Sequence, residues 1–346
     1  MWGYAGFTLL LRPPGRGDDV GLRPFCNNFV REETDTTMRS LLHRADGGTE
    51  PWVRGFAAAL PDADVVIWRE GAAFAPCDYA VTWAPTPAML AHLAHVKAIF
   101  VTGAGVDGIM KFADALPNVP IIRLGDAGMA IQMAEYVAYA VLRYFRRFDE
   151  YDAQARRGVW QQLPQHRKED FSVGVMGMGV LGTRVLQALA GLGFPLRGWS
   201  RSARQTEGVA CYAGIEQLDD FLRGARVLVC MLPLTPETAS LLDRQRLSLL
   251  PQGAYLINVA RGAHVAETDL LALIRQGHIA AATLDVFRTE PLPQPHPFWD
   301  EARITLTPHI AALTLPDLSA QQIAEKMCAL ERGEPVADLV ERHKGY

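Results

Sequence analysis

Residues 171–193 read Phe-Ser-Val-Gly-Val-Met-Gly-Met-Gly-Val-Leu-Gly-Thr-Arg-Val-Leu-Gln-Ala-Leu-Ala-Gly-Leu-Gly, and this stretch decides the fold. An apolar run over 171–176 is followed by Gly177-Met178-Gly179-Val180-Leu181-Gly182-Thr183 and then by helix-like apolar spacing, so the segment reads as strand, tight turn and helix. Such a turn is where the pyrophosphate of a dinucleotide sits. Gly177 permits the turn, Gly179 lets the backbone approach the phosphates, and Gly182 lets helix and strand pack closely, while the helix N-terminus offers unpaired N–H donors. In a chain with 30 glycines the three gain weight only from the strand and helix that flank them.

Outward from this segment the same rhythm recurs. Downstream, strand-like runs at 195–199, 226–232, 254–258, 281–286 and 304–306 continue the unit that begins at Phe171. Upstream, runs at 40–43, 65–68, 79–83, 98–101 and 121–124 alternate with helical stretches near 52–60 and 88–93. Alternation of this kind means parallel strands joined by crossover helices. Between the two sets, residues 132–156 carry Val137, Val141, Leu142, Phe145 and Phe148 on more than one helical face, which predicts a long helix covered on several sides, able to bridge domains or subunits. The polar stretch 161–170, with Pro164, reads as a linker. The expected architecture is α/β, with two doubly wound parallel-sheet units.

At 346 residues the chain is long enough for two ordinary domains. A net charge of -4 gives no basic footprint for nucleic acid and no polybasic membrane patch. No apolar stretch reaches the roughly 20 residues of a membrane span, and the start lacks signal-peptide features. Cys26, Cys77, Cys211, Cys230 and Cys328 show no ligand spacing and read as reduced packing residues, with no metal site. These features lead us to expect a soluble cytoplasmic protein. Residues 1–37 lack a sustained helix or strand period, so they are expected to be a disordered extension, or Met38 the natural start.

An NAD site usually carries an acid at the end of its second strand to bind the ribose 2′-OH. Here that strand ends Trp199-Ser200-Arg201-Ser202-Ala203-Arg204. Ser200 stands in the acid's place, and Arg201 and Arg204 would meet a 2′-phosphate with guanidinium donors. The expected cofactor is therefore NADPH, with NADH the weaker alternative.

Three ionisable residues lie just after strand-like runs of the same unit: Arg261 in Asn258-Val259-Ala260-Arg261-Gly262, Glu290 before Pro291, and His309 in Thr307-Pro308-His309. Ligands of open α/β sheets bind at those strand ends, so the three converge on one crevice. Reducing a carbonyl by hydride transfer builds negative charge on its oxygen, which calls for a proton donor and a fixed cation. An isolated histidine, with a pKa near 6.5, is only about a quarter protonated at pH 7. Glu290 on His309 would favour the imidazolium and fix its orientation. Arg261 could bind the carboxylate and carbonyl oxygens of a 2-oxo acid together, in a planar geometry lysine does not copy.

These motifs, with Leu232-Pro233-Leu234-Thr235-Pro236-Glu237-Thr238 and Leu284-Asp285-Val286-Phe287, fall in the order of a known family. Over residues 38–346 the chain resembles the D-isomer-specific 2-hydroxyacid dehydrogenases. Phe145-Arg146-Arg147-Phe148-Asp149, Trp199-Ser200-Arg201 and Gly345-Tyr346 resemble, more narrowly, the NADPH-linked glyoxylate/hydroxypyruvate reductase A branch. The resemblance implies that Arg261 binds and polarises the substrate, Glu290 is the partner acid and His309 the acid/base. It implies further that Gly177, Gly179, Val180, Leu181, Gly182, Pro233 and Thr235 line the cofactor, and that Asp285 contacts the nicotinamide carboxamide; a buried capping role is the other reading of that aspartate. Thr102-Gly103-Ala104-Gly105-Val106-Asp107 matches the anion-binding loop of the first domain, whose N–H groups around Ala104 and Gly105 would hold the substrate carboxylate. Trp83 would narrow the pocket.

The family fold is a pair of Rossmann-like domains with a discontinuous substrate domain. The implied division is 38–125 plus 311–346 for substrate and 126–310 for the dinucleotide, with the helix near 132–156 as the element of a homodimer. The expected reaction is NADPH-dependent reduction of glyoxylate and hydroxypyruvate to glycolate and D-glycerate. Another short D-2-hydroxy acid, or a dinucleotide-sensing, corepressor-like binding protein, are the competing expectations.

Overall fold

The computed structural model describes residues 37–346. The expectation about residues 1–37 therefore lies, but for residue 37, outside the described residues. Among the described residues twelve strands form two sheets. The first contains β1 (Arg39–Arg44), β2 (Asp64–Ile67), β3 (Tyr79–Trp83), β4 (Ala98–Val101) and β5 (Ile121–Arg123), in the order β2-β1-β3-β4-β5. The second contains β6 (Val173–Met176), β7 (Leu196–Ser200), β8 (Val209–Ala213), β9 (Val227–Cys230), β10 (Ala254–Asn258), β11 (Ile279–Leu284) and β12 (Ile304–Leu306), in the order β12-β11-β10-β9-β6-β7-β8. Every pairing between these strands is parallel. Strands covered by helices on both faces read as continuous apolar runs, which is why β4, β6 and β9 are buried at every position. Strand order reverses between β1 and β3 and again between β6 and β9, and ligands of doubly wound sheets lodge at such points.

The helix Pro316–Glu331 returns to the first sheet. Its Ala320, Ile323, Ala324 and Met327 share a buried cluster with Trp52 and Phe56 of the helix Glu50–Ala59. Gly55 makes the approach possible: a Cβ there would lie 2.8 Å from the Ala320 methyl. On the second sheet, Met133, Val137, Val141 and Tyr144 of the helix Met129–Phe145 pack against Val185 and Leu189 of the helix Val180–Gly191.

Three features depart from the sequence reading. The stretch 132–156 is not one helix but two, Met129–Phe145 and Phe148–Arg156. Arg147 breaks it by taking a left-handed φ of 59°, held by hydrogen bonds to both Glu150 carboxylate oxygens, at 2.7 and 2.8 Å, and to the Pro164 carbonyl. Strand β8 was not marked in the sequence, being a half-exposed edge strand without an apolar run. Finally, Cys77, Cys211 and Cys230 are free thiols, but Cys328 is disulfide-bonded, so the reading of all five cysteines as reduced fails there. Sequence spacing does not report which sulfurs meet in space. Among the described residues no helix is long and apolar enough to cross a membrane, and no cluster of metal-ligating side chains occurs.

Candidate active site

The Gly177–Gly182 loop joins β6 to its helix at the strand-order reversal of the second sheet. Gly177 has a φ of +107°, and a Cβ there would sit 2.6 Å from the Met231 carbonyl oxygen. At Gly182 a Cβ would come within 1.8 Å of the Gly177 carbonyl oxygen, so helix and turn touch backbone to backbone. Gly179 differs from both. Nothing lies within 4 Å of where its Cβ would be, and that open space beside a helix N-terminus suits a bulky anion. The first intrahelical bond runs from Thr183 N–H to Gly179 C=O, so the N–H groups of Val180, Leu181 and Gly182 precede it and are available to a ligand. The residues present thus fit a dinucleotide pyrophosphate.

At the end of β7, Ser200 is buried and its hydroxyl donates to the Ser202 carbonyl at 2.8 Å, whereas Arg201 and Arg204 are exposed beside it. The loop after β9 is closed on itself. Thr235 N–H donates to the Thr238 hydroxyl at 2.8 Å, and that hydroxyl lies 2.7 Å from the Pro233 carbonyl. Thr235 is buried and Pro233 exposed.

Arg261 follows β10 in a turn bracketed by Asn258, whose amide donates to the Arg261 carbonyl at 3.0 Å and accepts from Ala260 N–H at 3.2 Å. Gly262 is pressed against Phe287, where a Cβ would fall 1.9 Å from a backbone carbon. The guanidinium reaches across to the first sheet. Its Nε donates to Asp107 Oδ1 at 3.0 Å and its Nη1 to the Ala260 carbonyl at 2.7 Å, which leaves Nη2 without an acceptor among the described residues. That Nη2 lies only 1.9 Å from the position a Gly105 Cβ would take. On the far side of the same loop, the Trp83 ring lies 2.3 Å from where a Gly103 Cβ would be. Trp83, the Ala104–Gly105 backbone and Arg261 are therefore stacked at the C-terminal strand ends.

His309 Nδ1 lies 2.8 Å from Glu290 Oε2, and Glu290 Oε1 accepts from Phe287 N–H at 2.9 Å. Burial raises the Glu290 carboxyl, but the hydrogen bonds from His309 and Phe287 and the charges of His309 and Arg261 outweigh it, holding the group below the usual carboxylate range. Arg261 is thus near enough for its charge to act on Glu290, while the direct contact is between Glu290 and His309. Asp285 positions the histidine. It is buried, accepts from the Thr307 hydroxyl at 2.6 Å and from Ile310 and Ala311 N–H at 2.8 Å each, and its carbonyl takes His309 N–H at 2.9 Å. This network fixes His309 at a φ of 56°, a backbone state uncommon outside glycine. Asp285 is therefore a cap for segment 307–311.

The D-isomer-specific 2-hydroxyacid dehydrogenase NAD-binding domain model matches residues 138–311. A glyoxylate/hydroxypyruvate reductase A from Serratia proteamaculans is 49% identical over 314 residues, covering 89% of this chain and 100% of the relative. The chain belongs to the D-isomer-specific 2-hydroxyacid dehydrogenase family. A family structure from Xanthobacter autotrophicus Py2, in complex with NADPH and MES, superimposes with a TM-score of 0.86 at 40% identity, covering 90% of this chain and 100% of that one. The NADPH-dependent glyoxylate/hydroxypyruvate reductase of Sinorhizobium meliloti, in complex with NADP and sulfate, gives 0.85 at 32% identity, with the same coverage. As a D-2-hydroxyacid dehydrogenase the chain is an NAD(P)(H)-linked oxidoreductase.

Two side chains of this dehydrogenase escaped the sequence reading. Asp107 has no partner that its loop sequence reveals, and it holds Arg261 from the other sheet; an acid at the first position of the helix Asp107–Met110 is the available signal. His264 is fully buried, with Nδ1 3.0 Å from the Thr238 carbonyl and Nε2 3.0 Å from that of Leu232. Burial pushes its pKa down against these two carbonyls, and the ring ties the Arg261 turn to the loop after β9.

Proposed function

We propose that this dehydrogenase reduces glyoxylate and hydroxypyruvate to glycolate and D-glycerate, with NADPH preferred and NADH the weaker cofactor. The observation that carries the reading is the His309–Glu290 pair at 2.8 Å beside an Arg261 that keeps Nη2 free against Gly105. The reduced nicotinamide supplies a hydride to the carbonyl carbon. Glu290 accepts the Nδ1 hydrogen of His309, so Nε2, which has no partner among the described residues, is the nitrogen that hands a proton to the carbonyl oxygen. Arg261 binds that oxygen and the carboxylate, and the N–H groups of Ala104 and Gly105 take the rest of the carboxylate charge. Trp83 limits the acid to two or three carbons. Of the roughly four acceptor positions of its carboxylate, Asp285 spends three on segment 307–311 and keeps one for the carboxamide.

Gly177, Gly179, Val180, Leu181 and Gly182 hold the pyrophosphate in this scheme, Pro233 and Thr235 flank the cofactor, and Ser200, Arg201 and Arg204 receive the 2′-phosphate. The proposed substrate domain is 38–125 with 311–346, around a dinucleotide domain of 126–310. The protein is proposed to be cytoplasmic and a homodimer, and the exposed Ile131, Tyr139 and Phe148 along the two helices that follow Gly128 accord with a subunit contact there.

The test is a panel of short 2-oxo acids assayed with both reduced cofactors. Glyoxylate and hydroxypyruvate should give the highest kcat/KM with NADPH, and His309→Ala should lower kcat by roughly 10² to 10⁴. Unchanged turnover in that variant would remove His309 from the chemistry.

A further inference from the structure

The segment 339–346 belongs to the first sheet by its bonds yet touches the second domain with its final pair of residues. Leu339 bridges Ile122 in antiparallel fashion, and Val340 N–H donates to the Ile121 carbonyl at 2.8 Å. The Val340 side chain is buried among Ile99, Val101 and Ile121, and Tyr346 packs against the same cluster. Arg342 fastens the segment further by donating to the carbonyls of Pro117 and Val119. A turn then brings the chain back, with Gly345 at a φ of +76° and its N–H on the Glu341 carbonyl at 3.0 Å. At that turn the chain crosses to the dinucleotide side. A Cβ on Gly345 would lie 3.8 Å from the Thr235 methyl, and the Tyr346 ring centroid lies 5.1 Å from the guanidinium carbon of Arg201.

Arg201 makes no hydrogen bond or ion pair among the described residues, although Glu237 and Glu341 are both near enough to feel its charge. Its guanidinium instead lies over the Tyr346 ring. A ring contact of this kind supplies no oxygen acceptor and so leaves the guanidinium N–H donors without one, which is the state in which an arginine takes two oxygens of a phosphate at once. An unsupported arginine on an exposed loop would instead sample its acidic neighbours and lose side-chain entropy on binding.

We propose that Tyr346, carried by the substrate domain, is a positioning residue that holds Arg201 ready for the 2′-phosphate and so sets the preference for NADPH. This inference rests on the cofactor reading given above.

Calorimetric titration tests it without turnover, using NADPH, NADH and adenosine 2′,5′-bisphosphate as ligands. Tyr346→Ala should weaken NADPH and the bisphosphate by about 3- to 10-fold, the range of a partly exposed cation–π contact, and move NADH by less than about 2-fold. Tyr346→Leu, which keeps apolar bulk for the cluster but offers no ring face, should behave like the alanine variant. Tyr346→Phe should stay within about 2-fold of the wild type, since the ring face is retained. In an Arg201→Ala background the loss on removing the ring should vanish. Equal losses for NADPH and NADH, or a full loss persisting without Arg201, would overturn the inference. Equal affinity of the wild type for NADPH and NADH would instead overturn the cofactor reading itself.

Discussion

Two glycine-bearing loops follow parallel strands in this molecule, and Gly179 of the first stands opposite to Gly103 and Gly105 of the second. In the loop after β6, Gly179 faces open space and leaves room for a ligand. In the loop after β4, the space beside Gly103 and Gly105 is already taken, by the Trp83 ring and by Arg261 Nη2. The first loop opens a helix of 12 residues with an N-terminus able to hold an anion, whereas the second opens one of only 4 residues, too short to supply much of a dipole. The same residue type thus leaves a vacancy in one loop and permits a close approach of side chains in the other. What separates the loops is the side chain each glycine admits.

The largest expected effect comes from Gly182→Ala. Its methyl would lie 1.8 Å from a backbone oxygen, and no side chain can move aside, so helix and turn must part. Overpacking of this kind costs about 1–3 kcal/mol, a fall of roughly 2–12 °C in Tm, with loss of measurable NADPH binding. A thermal melt unchanged from wild type would show that the backbone contact is not a constraint. Next comes Gly105→Ala, where the obstacle is the far end of a flexible arginine. The fold should survive while Arg261 shifts by about 1 Å, and misplacement on that scale costs about 10²-fold in kcat/KM for glyoxylate. NADPH affinity should stay within about 2-fold, because Gly105 lies on the other loop. A variant that loses cofactor binding as much as activity would erase the distinction between the two loops.

How much of this was legible in the sequence follows from what each feature depends on. The glycine loop after β6 announces itself because its strand, turn and helix are contiguous, and the period of apolar residues changes at Gly177. Arg261, Glu290 and His309 were also readable, since each follows a strand of one parallel sheet and so must emerge at one edge. The contacts that cross between sheets were not readable. Asp107 and Arg261 lie 154 residues apart, and no local pattern in either segment records the partner. His264 hides for a similar reason, because two backbone carbonyls hold it and backbone leaves no trace in residue type. The break at Arg147 carries no glycine or proline to mark it, and depends instead on Glu150 and on the Pro164 carbonyl closing around one side chain.

The smallest expected effect is the sharpest test of the comparison. Gly179→Ala adds a methyl to a position with nothing within 4 Å, at a φ of -79° that any residue adopts, so the protein alone gives no reason for it to destabilise. Its Tm should match the wild type within about 2 °C, since no packing or strain term changes. If the open space is where a pyrophosphate approaches the backbone, the added methyl stands between phosphate oxygens and the N–H donors of Val180 and Leu181. Longer hydrogen bonds to a charged group should then cost about 1.5 kcal/mol, a loss of roughly 10-fold in NADPH affinity by calorimetry. NADH should suffer equally, because both cofactors share the pyrophosphate and differ only at the 2′ position. An alanine variant that binds both as the wild type does would mean that the space beside Gly179 is merely solvent, and would move the cofactor away from the one glycine of the 177–182 loop whose conformation the fold does not require.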